Sequence, residues 1–191
     1  NNLMGATSAD VKLVEGLAAA RKATDDKLSQ LEASFAVEIA TQPELAKAVA
    51  DTRRKLAQSR EAVDQVAALP PAARSQSAMA NAIKSMFKAA DSINLLRGRA
   101  APSIIMKTPD VAIDIAMTGT AGVMRDRIGR LGSYVVMSLQ ANRQDQLSYR
   151  AKFDTEMQSL MLLKSSLWNY TAAYLSTPRL DKAFRDFETY Y

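Results

Sequence analysis

The stretch Thr41-Gln-Pro-Glu-Leu-Ala-Lys-Ala-Val-Ala-Asp-Thr-Arg-Arg-Lys-Leu-Ala-Gln-Ser-Arg-Glu-Ala-Val-Asp-Gln-Val66 decides the fold class. Leu45, Val49, Thr52, Leu56, Ser59, Val63 and Val66 recur at spacings of three and four, which places them on one stripe of a helix. Thr41 and Glu44 form a capping-box pattern, and Pro43 falls in the first turn, where its missing N–H costs nothing. The helix runs to about Leu69, where Pro70-Pro71 ends it.

The same period extends outward in both directions. From Ser8 to about Ala40, Val14, Leu17, Arg21, Thr24, Leu28, Leu31 and Phe35 make a coiled-coil-like seam with two polar members. A third helix from about Ser77 to Leu96 uses Met79, Ile83, Met86, Ala90 and Ile93. Arg97 to Lys107 reads as a linker, with the apolar run Ile104 to Met106 lying across a bundle end or touching a partner. Thr108-Pro109-Asp110 caps a fourth helix reaching towards Arg143. A fifth runs from about Asp145 to Leu175, and Ser176-Thr177-Pro178 opens a sixth on Leu180, Phe184, Phe187 and Tyr191. With no run of alternating strand residues, the chain is expected to be an all-α, up-and-down antiparallel bundle of about six long helices, of the four-helix-bundle type or two stacked bundles.

Composition narrows the chemistry. The 191 residues contain no Cys, which removes disulfides, thiol nucleophiles and iron–sulfur ligation, and no His, which removes the commonest general base and metal ligand. No metal site, cofactor or catalytic group is expected. Asp25 and Asp26 are sequence neighbours that point to different helix faces and cannot flank one bond. No Gly-rich phosphate loop follows a strand. The net charge is +5, concentrated between Arg74 and Lys107, where six positive residues face one negative one, Asp91. That stretch is read as a solvated face or a contact for phosphates or anionic lipid. Nucleic acid is not an expected partner, because the aromatics are not interleaved with the positive residues as a stacking platform requires. Nine of the twelve aromatics lie between Tyr149 and Tyr191, which points to a core filled by large side chains at one bundle end, or to a ligand lined by Trp168 or Tyr174. No window is apolar enough to span a bilayer.

The most informative segment is Met117-Thr-Gly-Thr-Ala-Gly-Val-Met-Arg-Asp-Arg-Ile-Gly-Arg-Leu-Gly-Ser-Tyr134. Glycine inside a helix costs about 1 kcal/mol against Ala. Thr118, Gly122, Arg125, Gly129 and Gly132 share one face, smooth enough for a neighbouring helix or a small ligand to approach the backbone. Arg127, Arg130 and Tyr134 form an adjoining stripe. Guanidinium forks suit small oxyanions and carboxylates. The candidate ligand-binding set is therefore Arg125, Arg127, Arg130, Ser133 and Tyr134; the competing reading pairs these arginines with acids such as Asp25 or Asp154. Arg21 and Thr24 pose a similar choice: Asp25 and Asp26 follow at once, so a helix-surface ion pair or a register-setting polar layer is expected. Arg21, Asp25, Leu28 and Leu31 also echo Arg150, Asp154, Met157 and Leu160 at a constant offset.

Asn1-Asn2-Leu3-Met4-Gly5, Ala20-Arg-Lys-Ala-Thr-Asp25 with Leu28, and Ser59-Arg-Glu-Ala-Val-Asp64 resemble the nitrate- and nitrite-sensing type of helical sensor domain. Met124 to Ser133 looks like the Arg/Gly-rich central helix of related bacterial input domains. The resemblance implies an extracytoplasmic, periplasmic sensor domain of a transmembrane chemoreceptor, histidine kinase or diguanylate cyclase, with Arg125 and Arg130 carried over as anion contacts. It further implies a homodimer, flanking membrane helices absent from this chain, and truncation at both ends. The family's Arg-Gly pair would stand just before Asn1. The alternative expectation is a structural or interaction bundle, an adaptor or secretion component, without a small-molecule site.

Overall fold

The computed structural model describes residues 11–139, 141–174, 182, 185 and 186; apart from those last three, the sixth helix read from Ser176 onwards lies outside them. The fold is an all-α helical bundle. The helices are α1 (Val11–Ser34), α2 (Ala36–Thr41), α3 (Pro43–Ala68), α4 (Gln76–Lys107), α5 (Ala112–Leu139) and α6 (Arg143–Tyr174), with short 3-10 turns at Pro71–Ala73 and Pro109–Val111. The chain divides into two compact units, Asn1–Lys107 with Leu139–Ala141, and Thr108–Ser138 with Asn142–Tyr191.

The first helical stretch bends at Phe35, whose φ and ψ are −112° and 21°. Hydrogen bonding carries across the bend, from Phe35 N to Leu31 O (3.0 Å) and from Ile39 N to Phe35 O (2.8 Å). The capping box expected at Thr41 is not formed. Thr41 ends α2, and its hydroxyl donates back to the Val37 carbonyl at 2.8 Å. Gln42 stands at the N-cap instead, at φ −118° and ψ 98°, because a residue before proline is pushed out of the helical region. Pro43 occupies the first turn as expected.

Polar termini are satisfied locally. At the end of α3 the Arg74 guanidinium donates to the carbonyls of Leu69 (Nε, 2.8 Å) and Ala67 (Nη2, 3.2 Å), groups with no partner inside the helix. The Ser75 hydroxyl accepts the Ala78 N–H at 3.2 Å and starts α4. Thr108 makes no side-chain cap. At the start of α6, Asn142 Oδ1 accepts the Asp145 N–H (3.0 Å) while its amide donates to the Asp145 carboxylate (2.9 Å).

The expected linker from Arg97 to Lys107 is instead the last third of α4, with Pro102 inside the helix. Contacts on both sides of the proline hold it there. Leu96 and Ala100 enter the core, Arg99 pairs with Glu44 (3.2 Å), and Lys107 pairs with the buried Glu38. Within the Ile104–Met106 run, both isoleucines are half-buried and Met106 is 83% exposed.

The core of the first unit gathers Leu28, Leu45, Ala48, Val49, Leu96 and Ala100, with Leu31, Phe35, Ile39 and Leu56 packed against it. Every stripe residue read on α3 is buried or half-buried. On α4 the expected stripe is met in part: Ile83 is buried, Met79, Ala90 and Ile93 are half-buried and Met86 is exposed, while the burial extends to Ala82, Ala89, Ser92, Leu96 and Ala100. Small residues win because α3 lies close: the Thr52 hydroxyl reaches the Ser92 carbonyl at 3.1 Å. Val14 of the first seam is also exposed. The second unit is a helical hairpin whose core is Met124, Leu131 and Leu160, flanked by Ile128, Phe153, Met157, Leu163 and Leu167.

Candidate functional site

The seam between α5 and α6 carries most of the residues singled out by sequence. On α6, Tyr149, Phe153, Glu156, Leu160, Leu163 and Leu167 alternate by four and three, so Glu156 occupies a position that the heptad pattern normally gives to an apolar side chain. It is buried, and Arg127 of α5 reaches across to bind its carboxylate. One turn along α5, Arg130 is buried and donates to Asp126 at 3.0 Å within its own helix. Further along, Tyr134 stacks on Tyr149, with centroids 6.5 Å apart and rings inclined by 29°. Lys152 Nζ lies 5.3 Å from the centre of the Tyr149 ring, a cation–π distance.

The structure thus gathers Arg127, Arg130 and Tyr134 on or beside one seam. Ser133 is buried, and its hydroxyl donates to the Gly129 carbonyl at 3.0 Å. Arg125 is exposed on the opposite side of α5. The acids that answer these arginines are Glu156 and Asp126, rather than Asp25 or Asp154. Asp25 binds Arg60 at 2.9 Å in the first unit, and Asp154 is exposed. Glu156 was legible as a polar residue in a seam position, and Asp126 as the i−4 neighbour of Arg130.

At Gly129 and Gly132 the expected glycine face receives no neighbour. A Cβ built on Gly119, Gly129 or Gly132 would meet nothing within 4 Å, because α5 turns Met124, Arg130, Leu131, Ser133 and Met137 inward. Trp168 is also exposed.

Chemically, the half-buried Arg127 and the buried Glu156 form a charge-neutral layer. A guanidinium held there recognises a carboxylate or small oxyanion through paired N–H donors, and Glu156 supplies that carboxylate from within the chain. No group of three or more acids among the described residues is arranged to hold a metal ion.

The first unit carries a second set of arginine–carboxylate pairs. Arg21 grips Asp64 through two bonds (3.0 and 2.8 Å), and Arg53 grips Glu32 through two more (2.6 and 2.7 Å). Arg60 binds Asp25 and also donates to the Arg21 carbonyl at 3.2 Å. Arg21 thus pairs with Asp64 on α3 rather than with Asp25 or Asp26 of its own helix, which bind Arg60 and Lys22. Arg150 and Asp154, which echo Arg21 and Asp25, are both exposed.

No helix of the described residues is long and apolar enough to cross a membrane. No family model, curated protein or solved structure matches the chain.

Proposed function

We propose that this chain is an extracytoplasmic sensor domain of a bacterial transmembrane receptor, such as a chemoreceptor, histidine kinase or diguanylate cyclase. In this reading it is not an enzyme. It binds a small carboxylate or oxyanion at the α5–α6 seam and, as a homodimer, transmits a helix displacement to flanking membrane helices. The observation that supports it most is the buried Glu156 at a seam position, paired with the half-buried Arg127 one turn from Arg130 and two turns from the Tyr134–Tyr149 stack.

In this scheme an incoming anion takes the Arg127 guanidinium from Glu156. The released carboxylate must then move to water or take up a proton, so the ligand favours a helix packing different from that of the empty seam. The size of the response is set by the difference in affinity between the two packings. A thermal-shift screen of inorganic anions, carboxylates and amino acids tests this reading. At least one stabiliser is expected, and Arg127→Ala or Arg130→Ala should abolish its shift. A complete screen without a stabiliser, or an undiminished shift in both variants, overturns it.

The second reading is an interaction bundle without a small-molecule site. It is favoured by large apolar side chains left on the surface of α5 and α6, including Leu139, Leu147 and Leu162, the last 72% exposed. The sequence flanking the chain in the full-length gene product separates the two: membrane spans with a downstream signalling module favour the sensor.

A further inference from the structure

The three ion pairs between α1 and α3 are rungs of one antiparallel register: Arg21 faces Asp64, Asp25 faces Arg60 and Glu32 faces Arg53. All three step outward from the turn at Gln42–Pro43 by equal lengths on the two helices. The order of charges matters as much as their number. If α1 slid along α3 by one helical turn in one direction, Arg21 would come opposite Arg60. In the other direction, Asp25 would come opposite Asp64. Either slip replaces attraction with repulsion, which is how charge patterns reject a wrong register.

The two halves of α1 are fastened differently. Leu28 belongs to the apolar core, and Leu31 together with the adjoining Phe35 packs against it. Before Leu28, Val14 is exposed, Leu17 is only half-buried, and two of the charged rungs lie on this side. Their carboxylates, Asp25 and Asp64, are about half exposed, at 46% and 55%. Partly hydrated pairs of this kind are individually weak and are screened by salt. By contrast, α3 and α4 bring their backbones close along their length and bury Thr52, Ser59, Ala82, Ala89 and Ser92.

We propose that residues 12–27 of α1 form an electrostatic latch on α3, which releases by peeling away from its N-terminal end and is barred by its charge order from sliding by one turn. The α3–α4 pair remains closed when the latch opens. This property belongs to the first unit and holds whether or not the α5–α6 seam binds a ligand.

The chain contains no Cys, so pairs of spin labels can be placed without background. Ala20→Cys with Gln65→Cys reports the α1–α3 distance beside the Arg21–Asp64 rung, and Gln58→Cys with Met86→Cys reports α3–α4; all four positions are exposed. Raising NaCl from about 10 mM to about 1 M shortens the screening length from about 30 Å to about 3 Å. The latch predicts a shift of the 20–65 distances to longer, broader values at high salt, with the 58–86 distances unmoved. Asp64→Arg should produce the same shift at low salt, and adding Arg21→Asp should restore the short distance. Three outcomes overturn the proposal: 20–65 distances that ignore both salt and Asp64→Arg, equal lengthening at both label pairs, or a second discrete distance displaced by one turn. The salt series on the otherwise unaltered chain decides the matter even if Asp64→Arg fails to fold.

Discussion

Arg127 of α5 and Glu156 of α6 meet across a helix seam whose other positions on α6 are filled by Tyr149, Phe153, Leu160, Leu163 and Leu167. A charged pair in such a place specifies which residues lie opposite each other, at a cost in desolvation. Removing both charges and removing one should therefore have opposite consequences. Glu156→Ala strands the Arg127 guanidinium and should destabilise the chain by about 1–3 kcal/mol in urea unfolding. The double replacement Arg127→Leu with Glu156→Leu should recover that loss or exceed the parent. A double variant less stable than Glu156→Ala alone would mean that the pair contributes more than its desolvation costs.

Leu160 is 0% exposed at the centre of the second unit's core. Leu160→Ala should cost about 2–5 kcal/mol, the sum of lost transfer free energy and the cavity left behind. Thr52, also 0% exposed, tests a different term, because its hydroxyl contacts the Ala48 carbonyl at 2.8 Å and the Ser92 carbonyl on the facing helix. Thr52→Val keeps the shape and removes the hydroxyl, and should cost about 0.5–1.5 kcal/mol. Chemical denaturation of both variants gives the comparison; a Thr52→Val loss as large as that of Leu160→Ala would contradict this ranking.

The ion pairs of the first unit carry a pH signature. Hydrogen bonding from Arg60 holds the Asp25 carboxyl below its ordinary value of 3.8, and Arg53 holds Glu32 below 4.5. Lowered values mean that the unfolded chain binds more protons in this range. The stabilisation is therefore complete above those ordinary values and is lost as pH falls through them to the lower folded values. Melting temperature should decline between about pH 5 and pH 3, and Asp25→Asn with Glu32→Gln should flatten the decline. Glu38 and Asp51, lowered by Lys107 and Arg54, leave a residual slope of the same sign. An unchanged slope in the double variant would show that these two carboxylates do not carry the effect.

The α3 stripe is legible in the sequence because Leu45, Val49, Val63 and Val66 are both hydrophobic and inward-facing, so hydrophobicity and burial agree. On α4 they diverge. Close approach to α3 buries Ala82, Ala89 and Ser92 beside Ile83 and leaves the larger Met86 exposed, so a ranking by side-chain hydrophobicity finds only part of the buried face. Pro102 reads as a helix breaker because its local cost is visible in the sequence, while the contacts of Leu96, Ala100, Arg99 and Lys107 that offset it lie on other helices. In the candidate site, the spacing of Arg127, Arg130 and Tyr134 marks them out, and Asp126 stands four residues before Arg130 on the same helix. The partners of Arg127 and Tyr134, Glu156 and Tyr149, depend on the register of α5 against α6, which the period of a single helix does not specify.

The packing of α5 also leaves Gly129 and Gly132 facing open space. With nothing within 4 Å of a Cβ at Gly129 or Gly132, Ala at either position adds no clash and removes the entropic cost of a helical glycine. Gly129→Ala and Gly132→Ala should each raise stability by about 0.5–1 kcal/mol, measured by thermal or urea unfolding. A loss of stability in either variant would show that a second chain or a ligand approaches the backbone at this face. If the alanine variants gain stability while a stabilising anion loses its thermal shift, the smooth face serves the ligand. If the shift survives, recognition belongs to the Arg127–Arg130 side of the helix alone, and the glycines have no part in it.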